Sequence, residues 1–365
     1  MRITSVVATW GYAPGGLERH VRSLDEVFQS LDHEHRVVAA WCRSSWAGRV
    51  DACSPSDPPR AWRDQLLQAK RLLRDSERLG SGSTDVMLLH SVAPLLATRG
   101  SRLRRIALNY HPPGLERRAN WDETRRRGPQ ERIAEEMLDL LERRSMRRCS
   151  AVVVLSDHSK RLLERSPSPV RAEVISPHLQ PRRRLSHGPE GPIVVIRRLA
   201  PRMGHREMLD EIAPVLRERG KRLVIASDGP MRPSLENQTR RLGLQELVSF
   251  VGSLSDGQLA DLYGEACLAL VPARGGEGFG LAASEALAAG VIPLVSDVPT
   301  LAELVSPIDG MLVVPHGCWS ESLERVLDLH PAQRARLLRA AARRADEFAL
   351  GRIAAHWNEV LTACA

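Results

Sequence analysis

Aromatic residues are scarce in this 365-residue chain, at 4%, and that scarcity removes the stacking platform on which single-stranded nucleic-acid binding rests. Lysine is nearly missing. It stands only at 70, 160 and 221, so 49 of the 52 basic residues are arginine. Any cationic role must fall mostly to a planar guanidinium that stays charged and bonds two oxygens at once. No run approaches the roughly 18 apolar residues that a membrane span needs. The first apolar stretch, Ile3 to Trp10, is too short for a secretion-signal core and reads as a strand. The cysteines (Cys42, Cys53, Cys149, Cys267, Cys318, Cys364) contain no Cys-x-x-Cys pair, which argues against a zinc module or a disulfide scaffold. A cytoplasmic protein with reduced thiols is the expectation.

What is present is an ordinary globular composition, 43% apolar and 26% charged, in a chain long enough for two domains of about 150–200 residues. Charge is uneven. Residues 1–190 carry 33 basic and 23 acidic side chains, whereas residues 191–365 carry 19 and 21, so the halves are built for different partners. The arginines at 125–127, 143–144 and 147–148 alternate with Glu131, Glu135, Glu136, Asp139 and Glu142 at helical spacing, the pattern of a solvated helix face. Nucleic acid is not an expected partner.

Apolar runs of strand length alternate with amphipathic helical runs. Strands are expected over Ile3–Ala8, Arg36–Ala40, Val86–His90, Arg105–Tyr110, Ala151–Leu155 and Ala172–Ile175, then over Ile193–Ile196, Arg222–Ala226, Val248–Phe250, Leu268–Val271 and Ile292–Val295. Helices are expected over Leu17–Leu31, Trp62–Leu79, Gln130–Arg147, Glu207–Arg219, Arg232–Leu242, Ser255–Ala266 and Leu281–Ala289, with a continuous helical stretch from Pro331 onward. Such alternation implies parallel, doubly wound sheets. The aperiodic, Pro-, Gly- and Arg-rich segment 181–192 is the natural boundary. The expected fold is α/β: two doubly wound Rossmann-like domains, 1–184 (with a C-terminal helix at about 346–365) and 185–345, facing each other across a cleft. Ligands of open α/β sheets bind beyond the carboxyl ends of the strands, so chemistry belongs on the strand-to-helix loops.

The richest such loop is Arg274-Gly-Gly-Glu-Gly-Phe-Gly-Leu-Ala-Ala-Ser-Glu-Ala-Leu-Ala-Ala-Gly290. A buried strand ends near Pro272, a glycine-rich turn follows and a helix opens near Leu281. Gly275, Gly276, Gly278 and Gly280 remove side chains where backbone N–H groups are unpaired, which lets an anion or a sugar hydroxyl reach the amides. Glu277 and Glu285 lie eight residues apart across this turn, two carboxylates suited to the paired hydroxyls of a sugar or a ribose.

Glu277-Gly-Phe-Gly-Leu…Glu285-Ala-Leu-Ala-Ala-Gly290 resembles the E-x7-E signature of retaining glycosyltransferases of family GT4, which have the GT-B fold. Four further stretches resemble the family in the expected order: Gly15-Gly-Leu-Glu-Arg-His-Val21, Ile196-Arg-Arg-Leu-Ala-Pro-Arg-Met-Gly204, Leu223-Val-Ile-Ala-Ser-Asp-Gly-Pro230 and Phe250-Val-Gly-Ser-Leu-Ser255. The resemblance implies a hexose-type sugar moved from a nucleoside-diphosphate sugar, UDP by default, to an acceptor hydroxyl. It places Glu285 on the ribose and Glu277 beside the transferred sugar. The amides of Gly278, Phe279, Gly280 and Leu281 would hold sugar hydroxyls and the β-phosphate, Arg198 would pair with the diphosphate, and Val251 would end the strand that contacts the base. Gly15 and Gly16 would bring the acceptor domain against the same diphosphate, and His111 would lie near the reacting centre. Glu18, His20 and His90 are acceptor-side candidates.

The resemblance also shows a departure. Much of the family has Lys-Gly where this chain has Met203-Gly204, so either Arg202 supplies the second cation from a shifted position or Arg198 works with less help. The implied mechanism is front-face substitution, in which the leaving phosphate oxygen takes the acceptor's proton and the protein supplies position and charge. No metal or other cofactor is expected, since there is no Asp-x-Asp. A phosphorylase would need a lysine for pyridoxal phosphate, and neither Lys160 nor Lys221 is placed for it. A binding protein without catalysis would keep Glu285 but need neither Glu277 nor His111. The acceptor is expected to be a small molecule such as a secondary metabolite. The alternative is a lipid-linked or cell-envelope acceptor reached from a peripheral position on anionic lipid, with membrane association less favoured because 117–127 holds only Trp121 as an anchor.

Overall fold

The computed structural model describes residues 1–10, 16–42, 84–90, 92–97, 103–110, 128–166, 168–180 and 190–364. The expected helix Trp62–Leu79, the segment 181–189, Gly15 and His111 lie outside them. The contacts divide the chain into two compact units, one holding the first sheet with the C-terminal helix and the other running Leu179–Ala349.

In the first unit, β1 (Arg2–Trp10), β2 (Glu34–Cys42), β3 (Val86–His90), β4 (Arg104–Asn109), β5 (Ala151–Val154) and β6 (Glu173–Val174) form one parallel sheet in the order β2-β1-β3-β4-β5-β6. Both faces are covered, so its strands read as continuous apolar runs instead of alternating ones. In β3, Met87 and Leu89 pack with Val6, Ala107, Val152 and Val154, while Val86 and Leu88 pack with Ile3, Ile106, Leu108 and Val153. Successive side chains thus feed two cores. Around the sheet lie α1 (Gly16–Ser30), α2 (Val92–Ala97), α3 (Pro129–Met146) and α4 (Asp157–Glu164).

The second unit repeats the scheme. Strands β7 (Ile193–Ile196), β8 (Leu223–Ala226), β9 (Val248–Gly252), β10 (Leu268–Val271), β11 (Pro293–Ser296) and β12 (Val313–Val314) run parallel in the order β12-β11-β10-β7-β8-β9. That is the doubly wound order whose direction reverses between the first and fourth strands, here β7 and β10. The helices are α5 (His205–Arg219), α6 (Arg232–Arg241), α7 (Asp256–Glu265), α8 (Leu281–Ala288), α9 (Pro299–Val305), α10 (Trp319–Leu327) and α11 (Pro331–Asp346), and α12 (Leu350–Cys364) returns to the first unit.

Two expectations are corrected. The stretch from Pro331 is not one continuous helix: it breaks at 347–349. The break lets Phe348 bury edge-on against Phe279, ring centroids 5.4 Å apart. It also lets Trp357 of α12, fully buried, meet Phe28 of α1 in the first core. The Arg/Glu-rich helix α3 is not simply a solvated polar face. Ile133, Met137, Leu140 and Leu141 are 58%, 59%, 52% and 39% exposed, an apolar stripe at helical spacing. Among the described residues no helix is long and apolar enough to cross a membrane.

Candidate functional site

The direction reversal in the second sheet sets the site. Loops leaving adjacent parallel strands there turn to opposite faces and open a crevice. The loop after β7 carries Arg197 to Gly204, and the turn after β10 carries Ala273 to Gly280. Backbone and side chain stitch the two together. The Arg274 amide donates to the Arg202 carbonyl at 2.9 Å, and Arg202 Nη1 donates to the Gly276 carbonyl at 3.2 Å. Thr300 Oγ1 donates to the Glu277 carbonyl at 3.0 Å, which fixes the far side of the turn.

Gly280 ends the turn as the N-cap of α8, at φ 94° and without a side-chain cap bond. The positive φ demands glycine, and a Cβ there would also lie 2.6 Å from Leu301 Cδ2, which would have to move. The first N–H groups of α8 therefore carry the helix's partial positive charge without a capping side chain. Glu285 is buried in the second turn of that helix. Gly229, in the turn after β8, is as constrained: its Cβ would lie 2.3 Å from the Leu199 carbonyl oxygen. This close approach clamps the 198–204 loop, since Leu199 N donates to Asp228 O and Met231 N to Leu199 O, each at 3.0 Å. Val251, at the end of β9, is exposed.

The arginines divide in a way the sequence did not indicate. Arg198 is exposed. Arg202 is half-buried and bonds the glycine turn instead of facing solvent. Arg197, which drew no attention in the sequence, turns inward. Its Nη1 donates to the Pro272 carbonyl at 2.9 Å, and its Nη2 approaches Met203 Sδ at 3.0 Å and bonds the Glu277 carboxylate. The side chains of this ion pair are 5% and 14% exposed. The only available signal was strand alternation: extending β7 by one residue places Arg197 and Arg198 on opposite faces. Beside Arg197 lies His205, buried with neither ring nitrogen partnered. Burial first, and the Arg197 charge second, hold its pKa down to about 3, so it is neutral.

In the first unit the sheet order reverses between β1 and β3, and a row of hydrogen bonds there runs from the half-exposed Asp25 carboxylate to the buried His90 and His20. Asp25 Oδ1 lies 3.1 Å from His35 Nδ1, His35 Nε2 lies 2.9 Å from Ser5 Oγ, and Ser5 Oγ lies 2.9 Å from His90 Nε2. His90 Nδ1 meets Tyr110 Oη at 2.6 Å, and Tyr110 Oη meets His20 Nδ1 at 3.0 Å. A carboxylate only accepts, so His35 donates from Nδ1 to Asp25, and the row is read in one continuous sense from there. His35 donates to Asp25 and accepts from Ser5, Ser5 accepts from His90, His90 accepts from Tyr110, and Tyr110 accepts from His20. The chain ends at His20 Nε2, a buried lone pair with no partner. Burial lowers His20 to about 3 and His90 well below its ordinary value, and it raises Tyr110 well above. His90 was an acceptor-side candidate; with both ring nitrogens bonded inside the protein it has none to offer a ligand. Glu18 is buried on α1, and Gly16 opens that helix, exposed.

Two doubly wound parallel sheets, each with its crevice residues at the point of reversal, define an α/β protein of the GT-B class. HepE from Anabaena, solved with UDP-glucose, superposes over 100% of both chains with a TM-score of 0.77 at 16% identity. Two family models match in succession, Glycosyltransferase Family 4 over residues 14–183 and Glycosyl transferases group 1 over residues 180–344. The chain belongs to the family 4 type of glycosyltransferases. An exopolysaccharide phosphotransferase of Streptomyces coelicolor is 27% identical over 361 residues, 95% of this chain and 34% of that protein. A GDP-mannose-dependent alpha-(1-6)-phosphatidylinositol dimannoside mannosyltransferase of Mycobacterium tuberculosis is 35% identical over 145 residues, 40% of this chain and 36% of that protein. The chain thus spans about a third of the length of these curated relatives.

Proposed function

We propose that this chain transfers a hexose from a nucleoside-diphosphate sugar to an acceptor hydroxyl, with retention at the anomeric carbon and without a metal. The observation that carries the reading is the convergence at the β7/β10 reversal of an uncapped helix N-terminus, Glu277, Glu285 and three arginines on one loop. A diphosphate is best held by fixed donors and guanidinium groups that stabilise its charge as it leaves. In this reading Glu285 bonds the ribose, Glu277 the sugar, the Gly278–Leu281 amides the β-phosphate, and Arg198 the diphosphate. Arg202 shapes the turn. Gly15, Gly16 and His111 act from the acceptor side, with Glu18 and the His20 Nε2 lone pair addressing the acceptor. HepE was solved with UDP-glucose, which supports UDP as the donor base, and the GDP-mannose relative makes GDP the competing choice. A panel of UDP, GDP, ADP and dTDP with their sugars, read by thermal shift, tests this directly. Stabilisation by one of them, lost in Glu285→Ala, is expected; no stabilisation by any would overturn the reading.

A small-molecule acceptor is the first expectation, but the exposed stripe of α3 supports the second. Ile133, Met137, Leu140 and Leu141 stand out from a helix whose last turn holds Arg143 and Arg144, with Arg147 and Arg148 in the turn that follows it. Apolar side chains beside guanidinium groups suit the headgroup boundary of anionic lipid. Binding to phosphatidylglycerol vesicles that survives moderate salt would favour a lipid-linked acceptor, and failure to bind would return the acceptor to solution.

A further inference from the structure

We propose that Arg197 is a positioning residue of the donor site: its guanidinium fills the space that a lysine at 203 would reach, and it holds the Glu277 carboxylate against the donor sugar. This deepens the reading above and rests on it. The argument begins with reach. A lysine in the rotamer of Met203 would put Cδ where the sulfur is and Nζ two bonds further, about 2.5 Å on. Arg197 Nη2 lies 3.0 Å from that sulfur, so a lysine ammonium at 203 has the reach to come to the same neighbourhood. A cation is thus present near position 203, delivered from the strand end, but it is engaged with Glu277 and is not a second cation for the diphosphate.

The other two arginines of the loop are placed differently. Arg202 bonds the Gly276 carbonyl, and Arg198 is exposed. Arg197 bonds Glu277, and its guanidinium is braced, because the Pro272 carbonyl holds Nη1 at 2.9 Å at the base of the glycine turn. A planar guanidinium gripped at one nitrogen presents the other at a fixed angle. As a stabilising device such a pair returns little, because burying both ions costs about what their attraction yields, and an apolar pair would serve as well. A buried ion pair at the mouth of a ligand crevice has a reason if its carboxylate must be ionised and aimed. His205, neutral and adjacent, adds no competing charge.

The test uses the full chain and four ligands: UDP, UDP-glucose, GDP and GDP-mannose. Arg197→Met should bind the free nucleoside diphosphate nearly as the parent does, yet lose roughly 30-fold for the matching sugar nucleotide, because a buried charge pair has lost one partner. Arg197→Met combined with Met203→Lys should recover most of that loss, since the ammonium reaches the same carboxylate. In a Glu277→Gln background, Arg197→Met should cost far less than in the parent. Thermal melting of each variant checks folding. Equal loss for diphosphate and sugar nucleotide, with no recovery by Met203→Lys, would make Arg197 a structural residue and overturn the proposal. So would a normal sugar-nucleotide affinity in Arg197→Met. A parent chain that binds none of the four overturns the donor reading itself, a distinct failure.

Discussion

The two units solve one topological problem with opposite chemistry. In each, the strand order of a six-stranded parallel sheet reverses beside its first strand, between β1 and β3 in one and between β7 and β10 in the other. The second unit furnishes its reversal with formal charge: Arg197 paired to Glu277, Arg202 on the turn, Arg198 exposed, Glu285 buried. The first furnishes its own with a row of hydrogen bonds through His, Ser and Tyr side chains, running from the Asp25 carboxylate to an unpartnered His20 Nε2. A charged ligand repays the burial of charge, whereas a neutral hydroxyl is selected by directional donors and acceptors. The difference is what the proposed function asks of each unit, a diphosphate for the second and an acceptor hydroxyl for the first.

The comparison breaks most sharply at Glu277. Glu277→Ala should lower turnover by about 10²–10³, the scale of losing one group that acts on developing charge, with the diphosphate still bound. Glu285→Ala should instead weaken diphosphate binding, by about 1.5–3 kcal/mol for a charged hydrogen bond. Calorimetry and kinetics on both variants separate the roles, and an inverted pattern would exchange them.

In the first unit, Tyr110→Phe removes the hydroxyl shared by His90 and His20. Two buried nitrogens lose their partner, and about 1–3 kcal/mol of first-unit stability should go with each. Hydrogen exchange resolved by segment reads this. Protection of the second unit should be unchanged. Nitrogen NMR should also find His20 protonated at Nδ1 in the parent and at Nε2 in Tyr110→Phe; the same tautomer in both would refute the direction assigned to the chain.

Acid should distinguish the units more gently. His20 and His205 have folded pKa values lowered to about 3, and His90 is lowered well below its ordinary value. Lowered values mean that the unfolded chain binds protons the folded one refuses. Stability is therefore full above about pH 6.5 and falls as pH drops below it, by about 1.4 kcal/mol per pH unit for each such histidine. Between pH 6.5 and 5 the first unit, with two, should lose protection faster than the second, with one. Equal slopes would remove this asymmetry. The smallest effect is expected on the surface of α3: Ile133→Glu with Met137→Glu should abolish vesicle binding while leaving donor affinity and melting temperature nearly unchanged, surface changes costing within about 0.5 kcal/mol.

Much of this was legible in the residues alone. β3, β7 and β10 match their apolar runs residue for residue, because a strand buried on both faces must be apolar throughout. The E-x7-E turn was equally plain, since the positive φ of Gly280 demands glycine. Short elements escaped: β12 is two residues long, too brief to show a period. The return to the first unit at about 346 was legible, but the interruption of the helix at 347–349 was not, because it is set by distant partners of Phe348, the Phe279 ring and the Leu179 amide. Local pattern determined the strands, the doubly wound class and the glycine turn, all of which depend on near neighbours in the chain. Tertiary structure decided which of two adjacent arginines turns inward to a carboxylate 80 residues away, and it decided which histidine nitrogen is left with a lone pair. Both depend on partners brought together by the sheet, and a hydrogen bond is specified by position in space, not in sequence.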